Sequence, residues 1–269
     1  MATTQTPPPL LYKYRSLTGE ARTHVQQLFG QCSLFFAAPP TFNDPFDCRV
    51  LRLRFPDSPD QYRKFLAQRA LKTIPGMNRA QRRTTAFNSV KQLRPHRDKE
   101  LQESIVADLQ RKIDQFGVFS LCEHPDDILM WSHYGASHTG LCLEFSSEQL
   151  PLAPEPVAYA PEFPVISFTD SAKSQTAILL TKAAHWSYEK EWRILADKSG
   201  LVPFNPISLS GVVFGCRMPE TDRRSVKQWI DAGKSRPRLY EAVISDQGYS
   251  VAVRPLDEDR SPAGLAAGT

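Results

Sequence analysis

Polar and apolar residues alternate along Leu10 to Arg15, with Tyr12 and Tyr14 on one face and Lys13 and Arg15 on the other, which is the period of a strand. From Thr18 to Phe29 the spacing becomes helical: Ala21, Val25, Leu28 and Phe29 form the stripe, and Thr18 is a candidate N-cap. Short strands are predicted at Leu34 to Ala37 and, with imperfect phase, at Cys48 to Phe55. Between them the Pro39 to Asp47 run demands an ordered turn. Asp60 to Gln115 is helical in pattern, broken at Pro75-Gly76 and at Pro95, and reads as an insertion of two or three helices at about residues 58–115.

Gly117 to Cys122 predicts a buried strand, Asp126 to Gly135 a helix and Gly140 to Phe145 a second apolar strand. Shorter strands are expected at Val157 to Tyr159 and Val165 to Phe168, then a helix over Ser174 to His185. Tyr188 to Ile194 (Tyr-Glu-Lys-Glu-Trp-Arg-Ile) reads as a strand that puts Glu189, Glu191 and Arg193 on one face. Gly211 to Phe214, Arg238 to Ser245 and Tyr249 to Val253 complete the strands, around a helix at Glu220 to Trp229. Strands and helices mix without a steady βαβ rhythm, so the predicted class is α+β. One domain is expected over residues 10–256, with disordered ends at 1–9 and 257–269.

Composition narrows the function classes. At 41% hydrophobic and 23% charged residues, the chain is ordinary for a soluble globular protein. No apolar run approaches the roughly 20 residues that span a bilayer, so no membrane association is expected. Met1 to Pro9 has neither the basic region nor the apolar core of a secretory signal, which makes a cytoplasmic location the expectation. The five cysteines stand singly in mostly apolar surroundings and read as reduced core residues, neither a disulfide framework nor a zinc site. Charge is uneven: Arg79, Arg82, Arg83 and Arg94 belong to a basic stretch that can steer an anionic partner or simply coat a solvated helix.

Candidate chemistry lies on three strands. Arg15 can clamp a phosphate, Ser120 can hydrogen-bond a sugar or amide, and Glu189 with Glu191 can hold a ribose hydroxyl or stabilise an oxocarbenium-like centre. Three surface features that never meet are the alternative. Trp131, His133, Tyr134 and His138 form the densest cluster of functional side chains: the first and third could wall an aromatic pocket and His133 could act on a phosphate. Core packing of Trp131 and a backbone role for His133 compete with that assignment. The histidine spacing is not that of a zinc site, so no metal is expected. Asn43, in the Asn-Asp-Pro turn, either stabilises the turn or lies beside a ligand.

The order Arg15, Ser120, then Glu189-Lys190-Glu191 resembles the arginine–serine–glutamate class of ADP-ribosyltransferases. That resemblance implies a mixed, mostly antiparallel sheet and NAD as substrate. It implies that Arg15 contacts the cofactor's phosphates or ribose, Ser120 supports the nicotinamide pocket, Glu191 drives glycosidic cleavage and Glu189 positions a protein or nucleic-acid acceptor. Tyr12, Asn43, Trp131, His133 and Tyr134 would complete the cofactor pocket. Departures are the Phe119-Ser120-Leu121-Cys122 run in place of a Ser-Thr-Ser type, and the long interval between Arg15 and Ser120. The set Tyr12-Lys-Tyr-Arg15, Phe42-Asn-Asp-Pro-Phe-Asp47, Met130-Trp-Ser-His-Tyr-Gly135 and Glu189-Lys-Glu-Trp-Arg193 also resembles a widespread uncharacterised bacterial family. Some members of that family are associated with abortive-infection phage defence. A nucleic-acid-directed defence effector and a non-catalytic sensor module are the other readings. The ADP-ribosyltransferase reading requires Arg15, Ser120 and Glu191 to open into one cleft, within roughly 10 Å of each other.

Overall fold

The computed structural model describes residues 5–54, 78, 80, 81, 84, 88, 99–167 and 171–256. In chain order the elements begin with β1 (Leu10–Arg15), α1 (Gly19–Gln31), β2 (Ser33–Phe36), β3 (Arg52–Arg54) and α2 (Lys99–Ile113). Next come β4 (Gly117–Cys122), α3 (Ile128–His133), β5 (Leu141–Ser146), β6 (Glu155–Pro156), β7 (Ala158–Ala160) and β8 (Val165–Ser167). Then follow α4 (Ser171–Leu179), β9 (Thr181–Ala183), β10 (Glu191–Ala196) and β11 (Gly200–Pro203). The last are β12 (Leu209–Phe214), α5 (Glu220–Ala232), β13 (Arg238–Ile244) and β14 (Val251–Pro255). The contacts divide the chain into two compact units, one of residues 1–37, 117–156 and 188–269, the other of 38–116 and 157–187.

The first unit is built on an eight-stranded sheet of order β14-β13-β12-β5-β1-β4-β10-β6. Its neighbours run antiparallel except β12 and β13, which are parallel and joined through α5. The class is therefore α+β, as the order of elements predicts, and the sheet is mixed and mostly antiparallel. One face carries Leu11, Phe119, Leu121, Leu143, Phe145, Trp192, Ile194 and Phe214, packed with Val25, Leu28 and Phe29 of α1 and Val226 and Ile230 of α5. The two helices are tied by Arg22, which meets Asp222 at 2.7 Å and lies 5.0 Å from the Trp229 ring. The opposite face buries Tyr14, Cys122, Cys142 and Val213 under Met130 and Trp131 of α3.

Helix α3 starts two residues later than its apolar pattern suggests because Asp127 caps it, its carboxylate accepting from the Leu129 and Met130 amides at 2.8 and 2.9 Å. Asp127→Ala is expected to cost about 1 kcal/mol, read as a shift of the urea midpoint with an unchanged slope.

In the second unit β3 pairs with β8 and β7 with β9, both in parallel. Gln110 of α2 fastens the chain at Cys48 and Val50 by accepting from the Val50 amide and donating to the Cys48 carbonyl. That clasp holds the backbone off a ladder, and of the strand expected over Cys48 to Phe55 the described residues form only β3, Phe55 itself lying outside them. The helix expected over Ser174 to His185 is α4, and it stops at Leu179. Thr181 to Ala183 pair with β7 instead. Most of the expected helical insertion, with Arg79, Arg82, Arg83 and Arg94, lies outside the described residues, as do the tail from 257 onward and residues 1–4.

Candidate active site on the polar face of the sheet

Register fixes which side chains share a face. Tyr12 of β1, Cys122 of β4 and Glu191 of β10 stand abreast, as do Ser120 and Arg193. Alternation then puts Ser120, Glu191 and Arg193 on the α3 side of the sheet. Arg15 does not join them. It stands abreast of Leu141, itself abreast of Phe214, and both belong to the helix-covered core on the other side. The expected convergence of Arg15 with Ser120 and Glu191 is thus corrected by one residue of strand parity. Burial lowers the Arg15 guanidinium to about 10, and its charge helps hold His24 of α1 below the usual histidine range, after burial itself.

Lys13 shares that face. Its ammonium donates to the Ser120 carbonyl at 2.6 Å and lies 4.2 Å from the Phe119 ring. Burial, then the like charge of Arg15, push it well below the ordinary lysine value.

Glu189 is not in a strand. It closes a short 3-10 helix (Ala184–Glu189), and Lys190 turns the backbone at φ 45° before β10 begins at Glu191. A surface ladder is excluded, because Glu189 is 3%, Glu191 5% and Arg193 1% exposed. Arg193 grips Glu191 with a fork, Nε to Oε1 at 2.8 Å and Nη2 to Oε2 at 3.0 Å. Tyr134, just past α3, donates its hydroxyl to Glu189 Oε1 at 2.7 Å. Tyr134 also packs on the cluster that contains Tyr14, Cys122 and Trp131, which brings Glu189 to the same side of the sheet as Glu191. Exposed His133 sits beside this pair, 6.3 Å from the Tyr134 ring and 6.5 Å from that of Tyr188.

Other predicted residues separate into supports and outsiders. Trp131 is fully buried, donates its indole N–H to the Pro125 carbonyl at 2.9 Å and meets Tyr14 edge to face at 5.0 Å. It is a core residue and offers no wall to a ligand. Tyr12 donates to Glu144 Oε2 at 3.2 Å, while Ser210 donates to Glu144 Oε1 at 2.8 Å. Burial, then the Glu144 carboxylate, raise the Tyr12 phenol. This Tyr12–Glu144–Ser210 network was invisible in the sequence, since nothing in its spacing joins residues so far apart. Arg193 was visible, two residues beyond Glu191 on the same predicted face. Asn43 is an exposed residue of the second unit, and the turn it precedes is fixed by Asp44, whose carboxylate accepts from the Phe46 amide at 2.9 Å. Cys122 and Cys142 are buried thiols raised chiefly by desolvation, which suits core residues better than nucleophiles. No group of three or more metal-ligating side chains occurs among the described residues.

The geometry defines an α+β protein with two buried carboxylates, one clasped by an arginine and one by a tyrosine, on the polar face of an antiparallel-rich sheet. The sequence model of a family described as "Protein of unknown function (DUF2971)" matches residues 130–194, from the middle of α3 to Ile194 of β10. The match therefore covers Tyr134, Glu189, Glu191 and Arg193. No curated protein and no solved structure matches the chain. No helix among the described residues is long and apolar enough to cross a membrane.

Proposed function

We propose that this protein cleaves NAD at its nicotinamide–ribose bond and transfers the ADP-ribosyl group to a macromolecular acceptor. The observation that carries the reading is the shared face of Ser120 and Glu191 on neighbouring strands, with Glu189 held beside them by Tyr134. On this reading the C1′–N bond breaks with its electron pair leaving on nicotinamide, and positive charge develops on the ribose. Glu191, positioned by the Arg193 fork, supplies the carboxylate that stabilises that charge electrostatically. Glu189 receives the acceptor's proton as its nucleophile bonds to C1′. Ser120 hydrogen-bonds the carboxamide or ribose, and His133 lies at the exposed margin where a phosphate would pass. Arg15 faces the helix-covered core and has no part in this site, so the three-residue cleft that the resemblance calls for does not form, and the reading rests on Ser120 and the two glutamates alone. A toxin or phage-defence setting follows from the motif resemblance and gives the acceptor its context.

The test is release of nicotinamide from NAD by the purified chain, followed by chromatography, with labelled NAD reporting transfer to cell extract. Release that depends on Glu191 supports the reading. No release under any acceptor condition would sink it.

A further inference from the structure

Outside the carboxylate cluster, the first unit carries an open groove of about 580 Å3, lined among others by Ile128, Leu129, His138, Arg217, Ile244 and Tyr249. That volume is within the range of small-ligand sites. Neither Ser120, Glu189, Glu191 nor Arg193 lines it. Its walls gather apolar side chains that folding leaves wet: Ile244 is 68% exposed and Tyr249 fully so, and Ile128 and Leu129 on the first turn of α3 are also exposed. Scattered apolar side chains mean little, but a contiguous patch around a groove marks a binding surface.

Two polar groups meet there, and one is placed at a conformational cost. Ala136, Ser137 and His138 all adopt left-handed backbone, at φ 50°, 54° and 68°. None is glycine, so each is a strained conformation that the surroundings must offset. The turn is stapled to the chain beyond β12, the Arg217 amide donating to the His138 carbonyl at 3.0 Å and the Gly215 amide to that of Gly140 at 2.9 Å. Gly215 permits this approach, since a Cβ there would lie 2.2 Å from the His138 oxygen.

The imidazole of His138 lies nearly parallel to the Trp131 ring, 6.0 Å away. Its Nδ1 is buried without a hydrogen-bond partner among the described residues. An orphaned lone pair costs less than an orphaned N–H, so the proton belongs on Nε2, which is then a donor. Burial, then the Arg217 charge, hold His138 below the usual histidine range, and the same cation acts on Cys216, another lining residue. The Arg217 side chain, which pairs with no carboxylate among the described residues, therefore serves this groove. Asp246 is the one carboxylate among the lining residues and opposes a second negative group, so a monoanion fits better than a polyanion.

We propose that the groove is a binding site for a small amphipathic monoanion, with an aryl or alkyl body on Ile128, Leu129 and Ile244 and its carboxylate or sulfonate head at Arg217 and His138. The site stands independently of the NAD reading.

The probe is 8-anilinonaphthalene-1-sulfonate, titrated by fluorescence into the full chain, beside N-phenyl-1-naphthylamine, the same rings without the sulfonate. Expected are saturable binding of one sulfonate per chain and at least about tenfold weaker binding of the neutral amine. Arg217→Gln should weaken the sulfonate about tenfold and leave the amine unchanged, whereas Leu129→Ser should weaken both. Both side chains are exposed, so the fold is retained, which circular dichroism checks. Bound sulfonate should also slow alkylation of Cys216 by iodoacetamide, read by peptide mass. Equal affinity for the two probes, indifference to Arg217→Gln, or an unprotected Cys216 would each overturn the assignment and leave a plain apolar patch. A second copy of the chain occupying the groove would appear as a concentration-dependent dimer that the sulfonate cannot dissociate, and would equally overturn it.

Discussion

Replacing Arg193 by leucine should cost the protein about 3–5 kcal/mol, a large part of the stability of any ordinary domain. The side chain is 1% exposed and its guanidinium makes two hydrogen bonds to a Glu191 carboxylate that is itself 5% exposed. Removing the cation leaves a buried anion without its fork, and desolvation of that anion sets the size of the loss. The double replacement Arg193→Leu with Glu191→Leu should recover much of it, because two apolar side chains of similar reach can fill the space without a charge to solvate. Urea unfolding of the three variants checks both statements. A single-variant loss below about 1 kcal/mol would mean that the pair is hydrated and worth no more than a surface bridge.

Glu191→Gln tests chemistry in place of stability. The amide keeps the shape of the side chain and can still accept one hydrogen bond from Arg193, but it brings no negative charge to the ribose. Nicotinamide release is expected to fall about 10²- to 10³-fold in kcat, with KM little changed, as when one electrostatic partner of a transition state is lost. Glu189→Gln should keep nicotinamide release closer to normal and reduce transfer to the acceptor more. Circular dichroism must show the fold intact in both. Undiminished turnover in Glu191→Gln would remove that residue from the reaction.

Much of the fold was legible because its main strands are strongly patterned. Leu10 to Arg15 and Gly117 to Cys122 form β1 and β4 with the expected bounds, and Thr18 takes the N-cap position of α1, although its side chain makes no capping hydrogen bond and its hydroxyl meets that of Ser16. What escaped was weakly patterned or depended on distant partners. Gly200–Pro203 has few residues and ends on a proline, yet β2 supplies the pairing that makes it a strand. The two glutamates were read as strand neighbours because Glu-x-Glu satisfies a period of two. The left-handed Lys190 between them breaks that period, and no composition rule announces such a residue outside glycine or asparagine.

The candidate site was half legible for the same reason. That Ser120 and Glu191 share a face of neighbouring strands followed from the period of β4 and β10, whereas the face of Arg15 hung on whether β1 aligns Tyr12 or Lys13 with Cys122. A slip of one residue there reverses every side chain on the strand. Tyr134 as the partner of Glu189 could not be read from spacing at all, since 55 residues separate them.

Strand β1 lies between β5 and β4 in the middle of the sheet, and Cys122, which stands beside Tyr12, comes 110 residues after it. At a ribosomal pace of roughly 5–20 residues per second, β1 leaves the exit tunnel about 5–20 s before that flanking strand exists. Both of its edges, and the apolar side chains of Leu11 and Tyr14, are unshielded for that interval. The nascent chain therefore has good reason to need a holding chaperone, and any lesion that delays β4 prolongs the period in which β1 can pair with the wrong edge.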